Sequence, residues 1–140
     1  MHIHSQTEKL KLVRDFIAEA AHEYGFDEET TGKIMLAVDE ACTNIIKHAY
    51  QYLPNKDIDL EVKTNGNRFE VFITHDGTSF DPQSVKRPDM PEYLRKYKHG
   101  GLGIHLMRTL MDEVEYEVRP DRKNIVHLVK YFPVKVQRNR

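Results

Sequence analysis

The sequence predicts an α+β fold, a two-layer α/β sandwich in which about three helices cover one face of a mixed, mostly antiparallel sheet. Two observations carry this. Apolar residues recur at helical spacing in three segments, around Leu10 to Ala21, Ile34 to Ile45 and Leu102 to Met111. Alternating apolar and polar residues bounded by turn formers mark strands at Asp57 to Lys63, Phe69 to Thr74, Val114 to Val118 and Ile125 to Phe132. Helices that precede and follow hairpin-linked strands suit a layered sandwich and not a doubly wound unit.

Each element has its own local reason. Met1 to Ser5 alternate apolar and polar residues, compatible with an edge strand, and Ser5 or Thr7 is placed to cap the first helix. Leu10, Val13, Ile17, Ala20 and Ala21 form one helical stripe in that helix, from about Thr7 to Tyr24, which Gly25 stops. Asp27 opens a second helix with Glu28 and Glu29 in its first turn, where carboxylates favour the dipole. Its pattern runs to about Tyr52, ahead of Pro54. Asn65-Gly66-Asn67 turns the first two strands into a hairpin of antiparallel neighbours. No period holds from Thr78 to His99, where Pro82, Pro88 and Pro91 sit among charged residues, so about 78–100 is expected to be a functional lid, with a short helix near Glu92 to Tyr97. The third helix comes next, then two strands joined by a turn near Pro120 and Asp121, and residues 134–140 form a frayed basic tail.

Composition bounds the function. With 140 residues the chain makes a single domain, 1–140, able to bury a core without disulfides or structural metal. Lys plus Arg number 21 against 22 Asp plus Glu, so there is no basic footprint for nucleic acid. No window approaches the run of about 20 apolar residues that a membrane span needs. The lone Cys42 sits inside a predicted helix, reads as an inert buried thiol, and suits a reducing cytosol; the chain is expected to be cytoplasmic. Eight histidines include no H-E-x-x-H pair and no Cys/His quartet, so a structural zinc site is not expected. His2 and His4 share one side of the possible edge strand, and His22, His105 and His127 read as surface or packing residues.

Three groups of residues carry chemistry. On the second helix Glu40, Asn44 and His48 are spaced four apart and form a row that drifts about 40° per step beside the apolar stripe of Ile34, Ala37, Ala41 and Ile45. A polar row on the edge of a buried face is where a pocket wall belongs; the alternative is an ordinary solvated edge. Asn44 offers a carbonyl oxygen of the kind Mg²⁺ takes, and Glu40, one turn away, is placed to accept a proton from an attacking hydroxyl or water. Gly100, Gly101 and Gly103 precede the third helix, whose free N–H groups and dipole favour an anion, although the run lacks the lysine and spacing of a Walker loop and also reads as a flexible turn. His75-Asp76-Gly77 ends the second hairpin strand, where Gly77 lets backbone approach a planar base; alone it is only a turn.

Taken together, the segment Glu40-Ala-Cys-Thr-Asn44-Ile-Ile-Lys-His48-Ala-Tyr50, the run Gly100-Gly101-Leu102-Gly103-Ile104-His-Leu-Met107, the Leu10 to Phe16 segment and Ser79-Phe-Asp-Pro82 resemble the gyrase and histidine-kinase ATPase superfamily with its Bergerat fold. Within it the chain resembles the anti-sigma-factor serine/threonine kinase branch over nearly its whole length. The resemblance implies that ATP and Mg²⁺ are bound, with Glu40 as general base and Asn44 as magnesium ligand. It implies nucleotide contacts from Asn44, His48, His75, Asp76 and Gly77 and from Gly100, Gly101, Leu102, Gly103 and Ile104, with phosphate contact assigned to Gly101 and Gly103. It further implies two partners, a sigma factor and a small serine-phosphorylated anti-sigma-factor antagonist, and a homodimer through the sheet edge. One position departs from the family pattern. The aspartate that accepts a hydrogen bond from the adenine amine stands two residues before the glycine, and His75 occupies that place here. The expected stand-ins are an imidazole nitrogen of His75 or a reoriented Asp76. A binding module that has lost catalysis, and an ATPase fragment of a two-component histidine kinase, are the alternatives.

Overall fold

The computed structural model describes residues 1–77, 101–121 and 123–133. Its elements are β1 (His2–His4), α1 (Leu10–Tyr24), α2 (Glu28–Asn44), β2 (Asp57–Asn65), β3 (Arg68–His75), α3 (Gly101–Leu110), β4 (Glu113–Val118) and β5 (Asn124–Tyr131). Five strands form one sheet in the order β1-β2-β3-β5-β4, every neighbouring pair antiparallel. The expected α+β sandwich is therefore present, without a parallel pair among the described strands. The lid expected at 78–100 with its short helix, and the tail at 134–140, lie outside the described residues.

The helical stripe predicted for α1 is the one it buries: Leu10, Val13, Ile17 and Ala21. Gly25 ends it at φ 114°, a left-handed conformation in which its N–H reaches Ala21 and His22 carbonyls while the Phe26 N–H also reaches Ala21. Asp27 caps α2, its side chain accepting from the Thr30 N–H at 2.8 Å. The expected cap on α1 is absent. A short 3₁₀ turn at Thr7–Lys9 leads into the helix with no side-chain cap, because the Ser5 hydroxyl is committed elsewhere: it donates to the Leu53 carbonyl and accepts from the Lys56 N–H.

Strand alternation puts Phe69, Val71, Ile73 and His75 of β3 on the helix side, beside Ile58 and Leu60 of β2 and Val126 and Leu128 of β5. They meet Ile17, Ile34, Val38, Ala41, Ile45 and Met107 in one apolar core. Full burial of each larger side chain stabilises the fold by about 1.5–3 kcal/mol, so the core and not local propensity holds α2 in place. α2 is the middle helix of its layer, packed on α1 and on α3. Among the described residues no helix is long and apolar enough to cross a membrane.

Candidate functional site

The second helix does not run on to Tyr52 as its periodicity suggests. α2 stops at Asn44, and Ile45–Ala49 form a wider π turn closed by the Tyr50 N–H donating to the Ile45 carbonyl at 2.9 Å, five residues back. Gln51 and Tyr52 then take left-handed φ values of 50° and 63°, which turns the chain toward β2. A π turn carries an extra residue, so the row of Glu40, Asn44 and His48 is not continuous. Glu40 and Asn44 stay together on α2, both half-buried, whereas His48 lies in the π turn and is exposed.

Glu40 has its proton affinity raised, first by burial and then by the neighbouring charge of Asp39, with Lys47 acting in the opposite sense. Asp39 is in turn held by Arg14 of α1 at 2.7 Å. Asn44 carries a side-chain amide nitrogen that is buried without a hydrogen-bond partner among the described residues. A buried amide without a partner costs free energy, which makes this side chain a candidate for contact with a bound group. Turned about its terminal bond, the same amide offers a carbonyl oxygen, the donor type that a hard cation such as Mg²⁺ takes. Cys42, between them in sequence, is fully buried; its thiol is pushed up to about 12 by burial and then by Asp39, which keeps it protonated and inert.

The end of β3 is pressed against the π turn. A Cβ on Gly77 would stand 2.9 Å from both the Cβ and the carbonyl oxygen of Ala49, so only glycine fits without a shift of backbone. Tyr50, 3% exposed, ties three segments together: its hydroxyl lies 2.6 Å from the Asp57 carbonyl and 2.8 Å from Asp76 Oδ1, and accepts from the Asp76 N–H at 3.0 Å. Asn124, opposite His75 in the β3–β5 register, donates to the Gly77 carbonyl at 3.0 Å. The side-chain oxygen of Asn124 is buried with no partner among the described residues. Neither Tyr50 nor Asn124 is assigned a role by the sequence pattern. Tyr50 could have been found as the last residue of the α2 motif, but Asn124 meets Gly77 only through strand pairing and has no local signal.

His75 and Asp76 point to opposite faces, as strand geometry requires: His75 is 5% exposed and faces the helices, and Asp76 is exposed. Burial pushes His75 down to about 4, against the opposing charge of Asp76, so the imidazole is neutral near pH 7. The Gly77 N–H donates to its Nδ1 at 3.2 Å, which places the ring proton on Nε2. The acceptor expected of His75 is therefore used within the turn, and Asp76 is engaged with Tyr50. What His75 has left to offer a ligand is a donor.

Gly101, Leu102, Gly103 and Ile104 form the first turn of α3 and not the loop before it, with backbone N–H groups free of helical partners. Gly100 lies outside the described residues. α3 packs on α2, and the β3 end packs on the π turn at the C-terminal end of α2, so the two chemistry-bearing segments flank the same helix.

The model of the histidine kinase-like ATPase domain family matches residues 3–130. The chain is 32% identical over 122 residues to the serine-protein kinase RsbW of Bacillus subtilis (strain 168), covering 84% of this chain and 76% of that protein. It is 32% identical over 137 residues to the serine-protein kinase RsbW of Bacillus velezensis, covering 94% and 84%. Among solved structures it is similar to the histidine kinase domain of the Erythrobacter litoralis EL346 blue-light activated histidine kinase, with a TM-score of 0.55 and 21% identity over 90% of this chain. The chain spans 60% of that longer chain, and the likeness is one of fold.

Proposed function

Because the chain belongs to the histidine kinase-like ATPase domain family, we propose that it is an ATP-binding anti-sigma factor and serine/threonine-protein kinase, which phosphorylates a small anti-sigma-factor antagonist and sequesters a sigma factor. Relatives described as serine-protein kinases align over most of both chains and support the choice of reaction. The observation that carries the reading is the pair on α2: Glu40 with raised proton affinity, and one turn away Asn44 with a buried amide nitrogen lacking a partner among the described residues.

Each residue takes a role that its surroundings suit. Glu40 accepts the proton of the attacking serine hydroxyl, and burial makes it the stronger base. Asn44 would hold Mg²⁺ through its side-chain oxygen, and the ion when bound neutralises charge developing on the transferred phosphoryl group. The first-turn amides of α3 at Gly101 to Gly103 receive phosphate oxygens, where the absence of two side chains permits close approach. A flat base would lie against the β3 end, which Gly77 fixes by its close packing on Ala49, with His75 Nε2–H beside it. His48, exposed on the π turn, contributes at most at the rim. The protein would act in the cytoplasm as a homodimer, with the antagonist and the sigma factor competing for it.

The reading is tested with Glu40→Gln, which keeps the shape and removes the base. Nucleotide binding is retained and transfer of radiolabelled phosphate to the antagonist is lost; undiminished transfer removes Glu40 from the mechanism. The donor character of His75 favours a second reading, a binding module that regulates partners by association alone, because the acceptor nitrogen of His75, at the place of the family's aspartate, is taken by the Gly77 N–H. That reading expects no heat from MgATP even at millimolar nucleotide.

A further inference from the structure

We propose that His2, His4 and Asp57 form a binding site for one nitrogen-preferring divalent transition-metal ion, of the zinc class, on the exposed face of the sheet edge. The backbone arranges it. β1 is an edge strand, and its register with β2 sets His2 opposite Asp59 and His4 opposite Asp57, while Ile3 opposite Ile58 turns inward to the core. Period-two alternation thus collects two imidazoles and two carboxylates into one square on the outer face. The donor atoms of His2, His4 and Asp57 all lie within 4.8 Å of one another.

The hydrogen bonding within the square favours a cation. His2 Nδ1 lies 2.8 Å from Asp59 Oδ1, a contact in which Nδ1–H donates to the carboxylate and which leaves Nε2 as the nitrogen a metal ion can take in place of a proton. A carboxylate behind the far nitrogen of a histidine is the support that metal-ligating histidines characteristically have. His2 Nε2 stands 3.2 Å from Asp57 Oδ1 and His4 Nε2 approaches the same oxygen at 3.9 Å, so the three atoms converge on a place where a proton or a metal ion is favoured. Two ligands about 2.0–2.2 Å from a tetrahedral zinc ion stand roughly 3.3 Å apart, so His2 and Asp57 are already near the required spacing and His4 needs a small side-chain rotation. Two imidazoles and one carboxylate suit zinc, nickel or copper, whereas Mg²⁺ prefers all-oxygen surroundings. All three side chains are about half exposed, so ions reach them directly. A bound ion would clamp β1 onto β2, and through Ile3 it would stabilise the edge of the core.

The sequence pattern did not suggest this because His2 and His4 belong to neither a Cys/His quartet nor an H-E-x-x-H helix; the carboxylate ligand arrives from a strand more than fifty residues away. The test is calorimetric titration of the untagged, chelator-treated full chain with zinc chloride near neutral pH in excess Mg²⁺. One zinc ion per chain is expected. His2→Ala and Asp57→Ala should each weaken binding at least ten-fold, and Asp59→Asn, which keeps the strand shape and removes only the supporting charge, should weaken it roughly ten-fold. His22→Ala, which alters another exposed imidazole, should leave it unchanged. Failure to bind zinc at millimolar concentration, or wild-type affinity in both Asp57→Ala and Asp59→Asn, would overturn the assignment.

Discussion

Acid should destabilise this protein through His75, and the size of the effect comes from its burial. An unfolded histidine titrates near 6.5, whereas burial holds the folded one at about 4. The unfolded chain therefore binds the proton more readily, so this contribution to stability is fully present above pH 6.5 and is lost as pH falls from there toward 4. The difference of about 2.5 between the two values, at about 1.4 kcal/mol per pH unit, makes the full loss about 3 kcal/mol, with about 2 kcal/mol gone by about pH 5. For a domain whose total stability is about 5–15 kcal/mol, that is a large fraction. Urea unfolding of the wild type and of His75→Gln between about pH 7.5 and pH 5 reads it out, because every other titrating group is common to both chains. The wild type should lose about 2 kcal/mol more than the variant across that interval. If the two curves stay parallel, the imidazole is not held neutral by burial, and the assignment of the ring proton to Nε2 falls with it.

Two substitutions probe the junction of α2, β2 and β3. Tyr50→Phe removes the hydroxyl shared by Asp57 and Asp76 and leaves the Asp76 N–H without its acceptor; it should cost about 1–3 kcal/mol by urea unfolding, and a loss within error would show that the junction is held by packing alone. Gly77→Ala drives a methyl into the backbone of Ala49 and should lower stability by about 1–3 kcal/mol and weaken nucleotide binding together; unchanged values of both would mean that the β3 end is free to move away.

What the sequence revealed and what it hid divide along physical lines. The stripe of α1, the Asp27 cap and the Asn65-Gly66-Asn67 hairpin were legible because each is decided by residues close in the chain. The end of α2 was not. Ile45 to Ala49 contain neither glycine nor proline, and the π turn goes with contacts made at a distance: Ala49 packed on Gly77, and the Tyr50 hydroxyl held between Asp57 and Asp76. The expected capping by Ser5 or Thr7 is absent: Leu53 and Lys56 take the Ser5 hydroxyl, and the Thr7 hydroxyl donates to Glu8. In the candidate site, Glu40 and Asn44 could be paired from helical spacing alone, but His48 drops out of the row once the turn widens. His75 could be seen to depart from the family pattern, yet only the folded chain places Gly77 N–H on its acceptor nitrogen and Asn124 beside it.

The central claim is that α2 presents Asn44 to the ion that accompanies a nucleotide held between the first turn of α3 and the end of β3. Calorimetric titration with ATP and Mg²⁺, of the wild type and of Asn44→Ala, tests it most directly. Binding near micromolar in the wild type, weakened at least ten-fold in the variant and insensitive to the variant when Mg²⁺ is withheld, is the predicted result, a difference of about 1.4 kcal/mol or more. Equal affinity of both chains for MgATP, or no heat from the wild type at millimolar nucleotide, would contradict it.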